Sequence, residues 1–189
     1  MKFTPLICIS TMLMFAGCSS YNDQPASSDL TQIIPNYLTC DVDQERTEQV
    51  KSKYGRFFRG NGILAGYRAT ANIPDVLLSY VFQKRSTSIF LKGLGRGGFA
   101  SSGGGRISID SGVGSLAHEL GHAVHFSYFR DKIPNFDNEL RQAYSNSVRN
   151  ERSGMRGYST QNYSEFLADL FDSYYCSEQS RNNVKTRFP

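Results

Sequence analysis

Hydrophobic and polar positions recur along the chain with two periods, and together they predict a mixed fold. Apolar residues three and four apart indicate an amphipathic helix, whereas two-residue alternation or a short apolar run indicates a strand. By these patterns we predict helices over 43–58, 75–84, 115–128, 137–150 and 160–176. We predict strands over 63–67, 88–91 and 106–110. The expected fold class is therefore α+β, a small mixed sheet packed by several helices.

The first seventeen residues differ in character from the rest. After the basic start at Lys2, residues 3–17 are apolar and contain no acidic residue. This stretch is shorter than the ~20 residues of a membrane-spanning helix and ends in small residues. It therefore predicts a cleaved signal peptide over residues 1–17 and export of the protein.

The sequence that follows the apolar stretch resembles a bacterial lipobox. Residues 13–20 read LMFAGCSS, with Phe15 where such a motif usually has leucine. We expect Cys18 to be lipidated, which would hold the protein at the outer membrane or cell surface by acyl chains alone. The alternative is a plain signal peptide with Cys18 near its cleavage site. Residues 18–32 then form the lipidated cysteine and a flexible polar tether, and 33–189 form the folded domain.

Composition adds limits on size and partners. A chain of 189 residues, 39% of them hydrophobic and 20% charged, suits one globular domain. The net charge of +4 involves no long basic run, so it gives no indication of nucleic-acid binding. Cys8 leaves with the signal peptide and Cys18 takes the lipid, so Cys40 and Cys176 remain. In an exported monomer, which we expect here, this pair predicts a disulfide.

The motif HELGH at residues 118–122 carries the candidate chemistry. His118 and His122 lie four residues apart, so a helix would present both imidazoles to one metal ion. Glu119 would lie beside them, placed to act as the general base on a water molecule. The three histidines of the chain all fall between 118 and 125. Gly121 costs helix stability, so we expect close approach of a neighbouring segment there.

Zinc bound by two histidines needs a further protein ligand. No histidine follows at the HExxHxxGxxH spacing, so we expect a carboxylate from a later helix, Glu165, with Asp169 orienting a ligand histidine from the same helix face. Thr160 or Ser164 would start that helix. The other candidates for the ligand are Glu139, Glu151 and Asp172, and Glu165 and Asp169 could instead be solvated. His125 has three possible roles: support of a ligand, contact with substrate, or simple solvent exposure.

HELGH, Tyr158 seven residues before Glu165, and EFLAD at 165–169 resemble the catalytic domain of anthrax lethal factor and the Pro-Pro endopeptidases. The resemblance covers about residues 106–176. It implies a zincin-like single domain, one Zn²⁺ per chain, and Tyr158 as a hydrogen-bond donor to the oxyanion. It also implies a protein or peptide substrate and makes proline-containing sites the first to test. The family usually has EFxAE, so Asp169 is one methylene shorter than its counterpart.

We expect the region before the HELGH motif to border the substrate cleft. In zinc peptidases the strand before the active-site helix often borders the cleft, so we expect 106–110 to be an edge strand able to pair with an extended peptide. The glycine-rich segment 93–105 would be a loop, either a flap over the cleft or a surface connector. The sequence thus predicts a zinc endopeptidase. The alternative is an inactive zincin scaffold used for binding or adhesion.

Overall fold

The computed structural model describes residues 42–91, 99–100, 105–109, 116–149 and 157–187. The predicted signal peptide, the Cys18 lipidation site, the tether and Cys40 lie outside these ranges. Cys176 is buried at the end of a helix, and its pairing with Cys40 stays a prediction. In the described part of the chain, no helix combines the length and apolar character needed to cross a bilayer.

The described strands form one four-stranded mixed sheet. Its strands are β1 (Phe58–Gly60), β2 (Ser88–Leu91), β3 (Phe99–Ala100) and β4 (Arg106–Ile109). The order across the sheet is β1-β2-β4-β3, in which β1, β2 and β4 run parallel and β3 pairs antiparallel with β4. Consecutive residues 107–109 of β4 are all buried, so both faces of this strand are covered by other elements.

The described residues form seven α-helices of five residues or more. They are α1 (Gln44–Tyr54), α2 (Ile63–Thr70), α3 (Asp75–Ser79), α4 (Leu116–Val124), α5 (Phe136–Arg149), α6 (Tyr163–Cys176) and α7 (Glu178–Arg187). α3 continues through a π-helical turn, Tyr80–Lys84, and α4 through another, His125–Phe129, followed by a short turn, Arg130–Lys132. The α+β class and the helices around 75–84, 115–128, 137–150 and 160–176 are confirmed.

The predicted strand over 63–67 is wrong, because these residues form the start of α2. A five-residue apolar run does not distinguish a strand from a buried helix segment. The chain reverses just before it through Gly60 and Gly62, both with positive φ, and the helix begins at Ile63. The strand at this end of the sheet is instead β1, which begins at Phe58, the last residue of the predicted first helix; that helix ends at Tyr54.

The strand 106–110 is also not at the edge of the sheet, as we had expected. β4 pairs with β2 on one side and with β3 on the other, so β3 is the edge strand on this side of the sheet, and it packs beside α4. Two residues of the glycine-rich segment, Phe99 and Ala100, form β3. The predicted edge strand beside the active-site helix therefore exists, but it comes from the segment that was predicted to be a loop.

Helices α4 and α6 pack closely because Gly121 lies between them. A Cβ atom at residue 121 would come within 3.0 Å of the Ala168 Cα and of the Phe171 Cβ. Such contacts are tighter than most that real Cβ atoms make, so the absence of a side chain at residue 121 favours this close approach. The close approach predicted from Gly121 is thus present, and it brings the first turns of α6 against the HELGH helix.

Candidate metal centre

Two histidines of α4 and one glutamate of α6 converge on a single point. The Glu165 Oε2 atom lies 3.0 Å from His118 Nε2 and 3.2 Å from His122 Nε2. The ligand atoms of these three residues all lie within 4.8 Å of one another. Of the described His, Cys, Asp and Glu residues, these three form the one group arranged to hold a metal ion.

The spacing of these atoms fits a metal ion between them. In a tetrahedral site whose ligand atoms lie about 2.0–2.1 Å from the ion, neighbouring ligand atoms are about 3.3–3.4 Å apart. The two distances to Glu165 fall slightly below that value. All three ligand atoms also lie within 4.8 Å of one another, so His118, His122 and Glu165 could hold a metal ion.

The position of Glu165 follows from the way α6 begins. The Asn162 side chain caps the helix, since its Oδ1 accepts hydrogen bonds from the backbone N–H groups of Ser164 and Glu165. The helix therefore starts at Tyr163, rather than at Thr160 or Ser164 as the sequence suggested. Asparagine is among the best N-cap residues, so Asn162 could have been recognised from the sequence as the start of this helix.

The second ring nitrogen of His118 faces a carboxylate. Asp169 Oδ1 lies 2.7 Å from His118 Nδ1, and the Ser159 hydroxyl donates a hydrogen bond to the other oxygen of Asp169. The structure thus brings Asp169 to His118, one of the candidate metal ligands, despite its shorter side chain. The sequence analysis missed Ser159, which lies on the 3₁₀ turn Gly157–Thr160 just before α6.

His125 is fully buried, so it is neither solvent-exposed nor directed into open space. Its Nε2 lies 2.8 Å from Asp137 Oδ1, and its Nδ1 lies 3.4 Å from the Ser164 hydroxyl. The same hydroxyl lies 3.0 Å from His122 Nδ1. His125 is therefore joined to the candidate ligand His122 through one residue of α6, an arrangement that no local spacing in the sequence indicated.

Electrostatics differ among the three histidines. Burial lowers the pKa of His118, but Asp169 and the negative charges of Glu119 and Glu165 outweigh it and raise this pKa above its ordinary value. Burial dominates at His122 and His125, and the pKa of each lies below its ordinary value. A histidine binds a metal ion only when deprotonated, so His118 competes for protons more strongly than His122 does.

The remaining predicted residues lie at different places in the structure. Glu119 is buried on α4 between the two ligand histidines. Tyr158 lies on the turn Gly157–Thr160, but its side chain is outside the described part. Glu139 is exposed on α5 and Asp172 is buried on α6, and neither belongs to the converging group. Glu151 lies outside the described residues.

No protein-family model, curated protein or solved structure matches this chain. The fold and the candidate site therefore define an α+β protein with a group of residues that could bind a metal ion. Its activity has to be inferred from the chemistry of that group.

Proposed function

We propose that this protein is a zinc-dependent endopeptidase with a zincin-like fold, as the sequence resemblance implies. The observation that carries the proposal is the convergence of His118 Nε2, His122 Nε2 and Glu165 Oε2 on one point. Two imidazoles and a carboxylate from two helices form a donor set that catalytic zinc sites use. Calcium and magnesium prefer sites made of oxygen atoms, so the two nitrogen ligands favour zinc over them.

A zinc ion in this site would act as a Lewis acid on the scissile carbonyl and would lower the pKa of a water molecule in its open position. Glu119 is the residue that takes the proton from the attacking water and delivers it to the leaving nitrogen. Its position next to His118 on α4, with 6% of its surface exposed, supports this role because burial keeps competing solvent away.

Tyr158 is proposed to donate a hydrogen bond to the oxygen on which negative charge develops. The resemblance to the lethal factor family carries this role. It is supported by the position of Tyr158 directly before Ser159. The Ser159 hydroxyl donates a hydrogen bond to Asp169, which lies beside His118. A donor that is already in place when charge develops stabilises the transition state without further reorganisation.

The substrate is proposed to be a protein or peptide bound in extended form. β3 supports this, because it is one of the two edge strands of the described sheet and packs beside α4, the helix that carries both histidines. An edge strand offers backbone N–H and C=O groups to an added peptide strand. Proline-containing sequences are proposed as the first substrates to test. The N-terminal pattern supports export and anchoring through lipid on Cys18, which would restrict the substrate to the cell surface or the surroundings.

Zinc content and peptide cleavage measured on one preparation test this function. We expect one zinc ion per chain and cleavage of an unbiased peptide library that stops when a chelator removes the metal and returns when zinc is added. Zinc binding without any cleavage would favour the inactive scaffold. A protein that binds no zinc would contradict both the cofactor and the activity.

A further inference from the structure

We propose that Ser164, His125 and Asp137 form a hydrogen-bonded positioning chain behind His122, which fixes the tautomer and orientation of this ligand. The inference rests on the proposed metal site and extends it by naming residues that do not touch the ion. The chain starts at His122 Nδ1, passes through the Ser164 hydroxyl and the His125 ring, and ends at the Asp137 carboxylate.

The distances along this chain are 3.0 Å, 3.4 Å and 2.8 Å. The first and last are ordinary hydrogen-bond lengths, and the middle one is at the long end. The residues come from three separate elements: His122 and His125 from α4 and its π-helical turn, Ser164 from the first turn of α6, and Asp137 from the start of α5. These hydrogen bonds therefore connect His122 to α5, the next long helix along the sequence, and to α6, which lies about 40 residues after His122.

The groups at the two ends of this hydrogen-bonded series require the same assignment of donors and acceptors along it. His122 Nε2 faces Glu165, so a neutral His122 that binds metal through Nε2 must carry its proton on Nδ1 and donate it to Ser164. At the other end an ionised Asp137 can only accept, so the neutral His125 must carry its proton on Nε2. His125 Nδ1 is then an acceptor, and the Ser164 hydroxyl can donate to it while accepting from His122.

The buried, aromatic surroundings of His125 favour its neutral form and limit the movement of its ring. Its ring is enclosed by Phe126, Phe136 and Tyr163, with ring centroids 4.8–6.0 Å away. The charged groups that face it are Asp137 and, beyond that carboxylate, Arg130, whose guanidinium lies 2.9 Å from the second oxygen of Asp137. Arg130 keeps Asp137 ionised and holds its side chain in place, so the far end of the chain is an anchored acceptor.

The two ligand histidines are thus supported in different ways. His118 meets a carboxylate directly, whereas His122 meets a hydroxyl whose partner is a buried imidazole and only then a carboxylate. A partner that accepts the second ring proton makes the ligating nitrogen more basic and fixes the ring. Loss of such a partner costs about 10–100-fold in metal affinity.

The test compares zinc affinity, measured by competition with a coloured chelator, for the purified full chain and four variants. We expect Ser164→Ala to weaken zinc binding at least about 10-fold, because His122 loses its acceptor. Asp137→Asn keeps an oxygen acceptor but loses the charge, so its loss is smaller. Ser164→Thr restores the hydroxyl and should keep the wild-type zinc affinity, a rescue that a packing role alone would not need.

The matched control is Asp131→Asn. It removes a surface carboxylate that pairs with Tyr80 and Arg85 away from the site.

The outcomes separate this inference from the function on which it rests. Wild-type affinity in Ser164→Ala would overturn the positioning chain and leave the metal site intact. Should Ser164→Ala fail to fold, unchanged zinc affinity in Asp137→Asn would overturn the proposed positioning chain. If the wild-type protein bound no zinc, the proposed function would fail. The ¹⁵N shifts of the His125 ring in the metal-free protein would then decide the inference: a proton on Nε2 supports the chain, and a proton on Nδ1 contradicts it.

Discussion

Asp169 Oδ1 lies 2.7 Å from His118 Nδ1, while the opposite ring nitrogen of this histidine lies 3.0 Å from Glu165 Oε2. One imidazole is therefore held between two carboxylates that are one turn apart on α6. When the neutral ring carries its proton on Nδ1, Asp169 accepts a hydrogen bond from this N–H, and Nε2 is left free to bind a metal ion. This relationship connects the spacing of Glu165 and Asp169 in the sequence to the geometry of the site.

Replacing Asp169 by asparagine tests that relationship. The amide keeps the shape but accepts the His118 proton less strongly, so we expect zinc affinity to fall by about 10–100-fold. The measurement is the same chelator competition, and Glu178→Gln, an exposed substitution on α7, serves as its control. Unchanged affinity in Asp169→Asn would mean that the contact with His118 does not influence the metal.

Glu119→Gln tests the general base. Glutamine keeps the length of the side chain but cannot take a proton, so hydrolysis of a cleaved peptide should fall by about 10²–10⁴-fold while zinc content stays at one per chain. The exposed Glu139→Gln on α5 should leave both unchanged. Full activity in Glu119→Gln would remove the general-base role from this residue.

Tyr158→Phe tests the oxyanion donor that the family resemblance implies. Loss of the hydroxyl should lower kcat by about 10²–10³-fold, because the donated bond acts mainly in the transition state. Zinc content should not change, since Tyr158 is not a proposed ligand. A variant that loses its zinc, or one that keeps full turnover, would show that the tyrosine has a different role.

Gly121→Ala tests the contact between α4 and α6. Alanine favours the helix by about 1 kcal/mol over glycine, but its Cβ would press against Ala168 and Phe171 at 3.0 Å. Overpacking of this kind costs about 1–3 kcal/mol. We expect a net loss in the free energy of unfolding and weaker zinc binding, with Gly121→Val more severe than Gly121→Ala. Urea unfolding that shows a more stable alanine variant with unchanged zinc affinity would contradict the packing argument.

The stability of the metal-free protein should depend on pH through His125. Burial lowers its pKa in the folded state below the ordinary value of 6.5, so the unfolded chain binds the proton more readily. The free energy of unfolding contributed by neutral His125 is then fully present above pH 6.5 and is lost as pH falls towards the folded pKa. His118, whose pKa is raised, acts in the opposite sense.

Comparison with His125→Gln isolates the His125 contribution from that of His118. The difference in free energy of unfolding between the wild type and this variant should shrink as pH falls below 6.5, measured by urea unfolding with the metal removed. A difference that grows on acidification would mean that His125 is protonated in the folded protein.

The sequence determined the parts of this protein whose geometry is local. A four-residue spacing on a helix places His118 and His122 on one face, and the same spacing places Glu165 and Asp169 together, wherever those helices lie. The helices around 75–84 and 137–150 could likewise be predicted, because helical periodicity persists over three turns or more.

Only the tertiary structure decided the rest. Residues 63–67 form a helix and Phe99–Ala100 form the edge strand, because short runs take the conformation that their neighbours in space can pair or pack with. The meeting of Ser164, His125 and Asp137 behind His122 depends on three helices packed together. Periodicity describes contacts within one element, whereas contacts between elements depend on how closely those elements approach. At Gly121 that approach is possible because a side chain is absent.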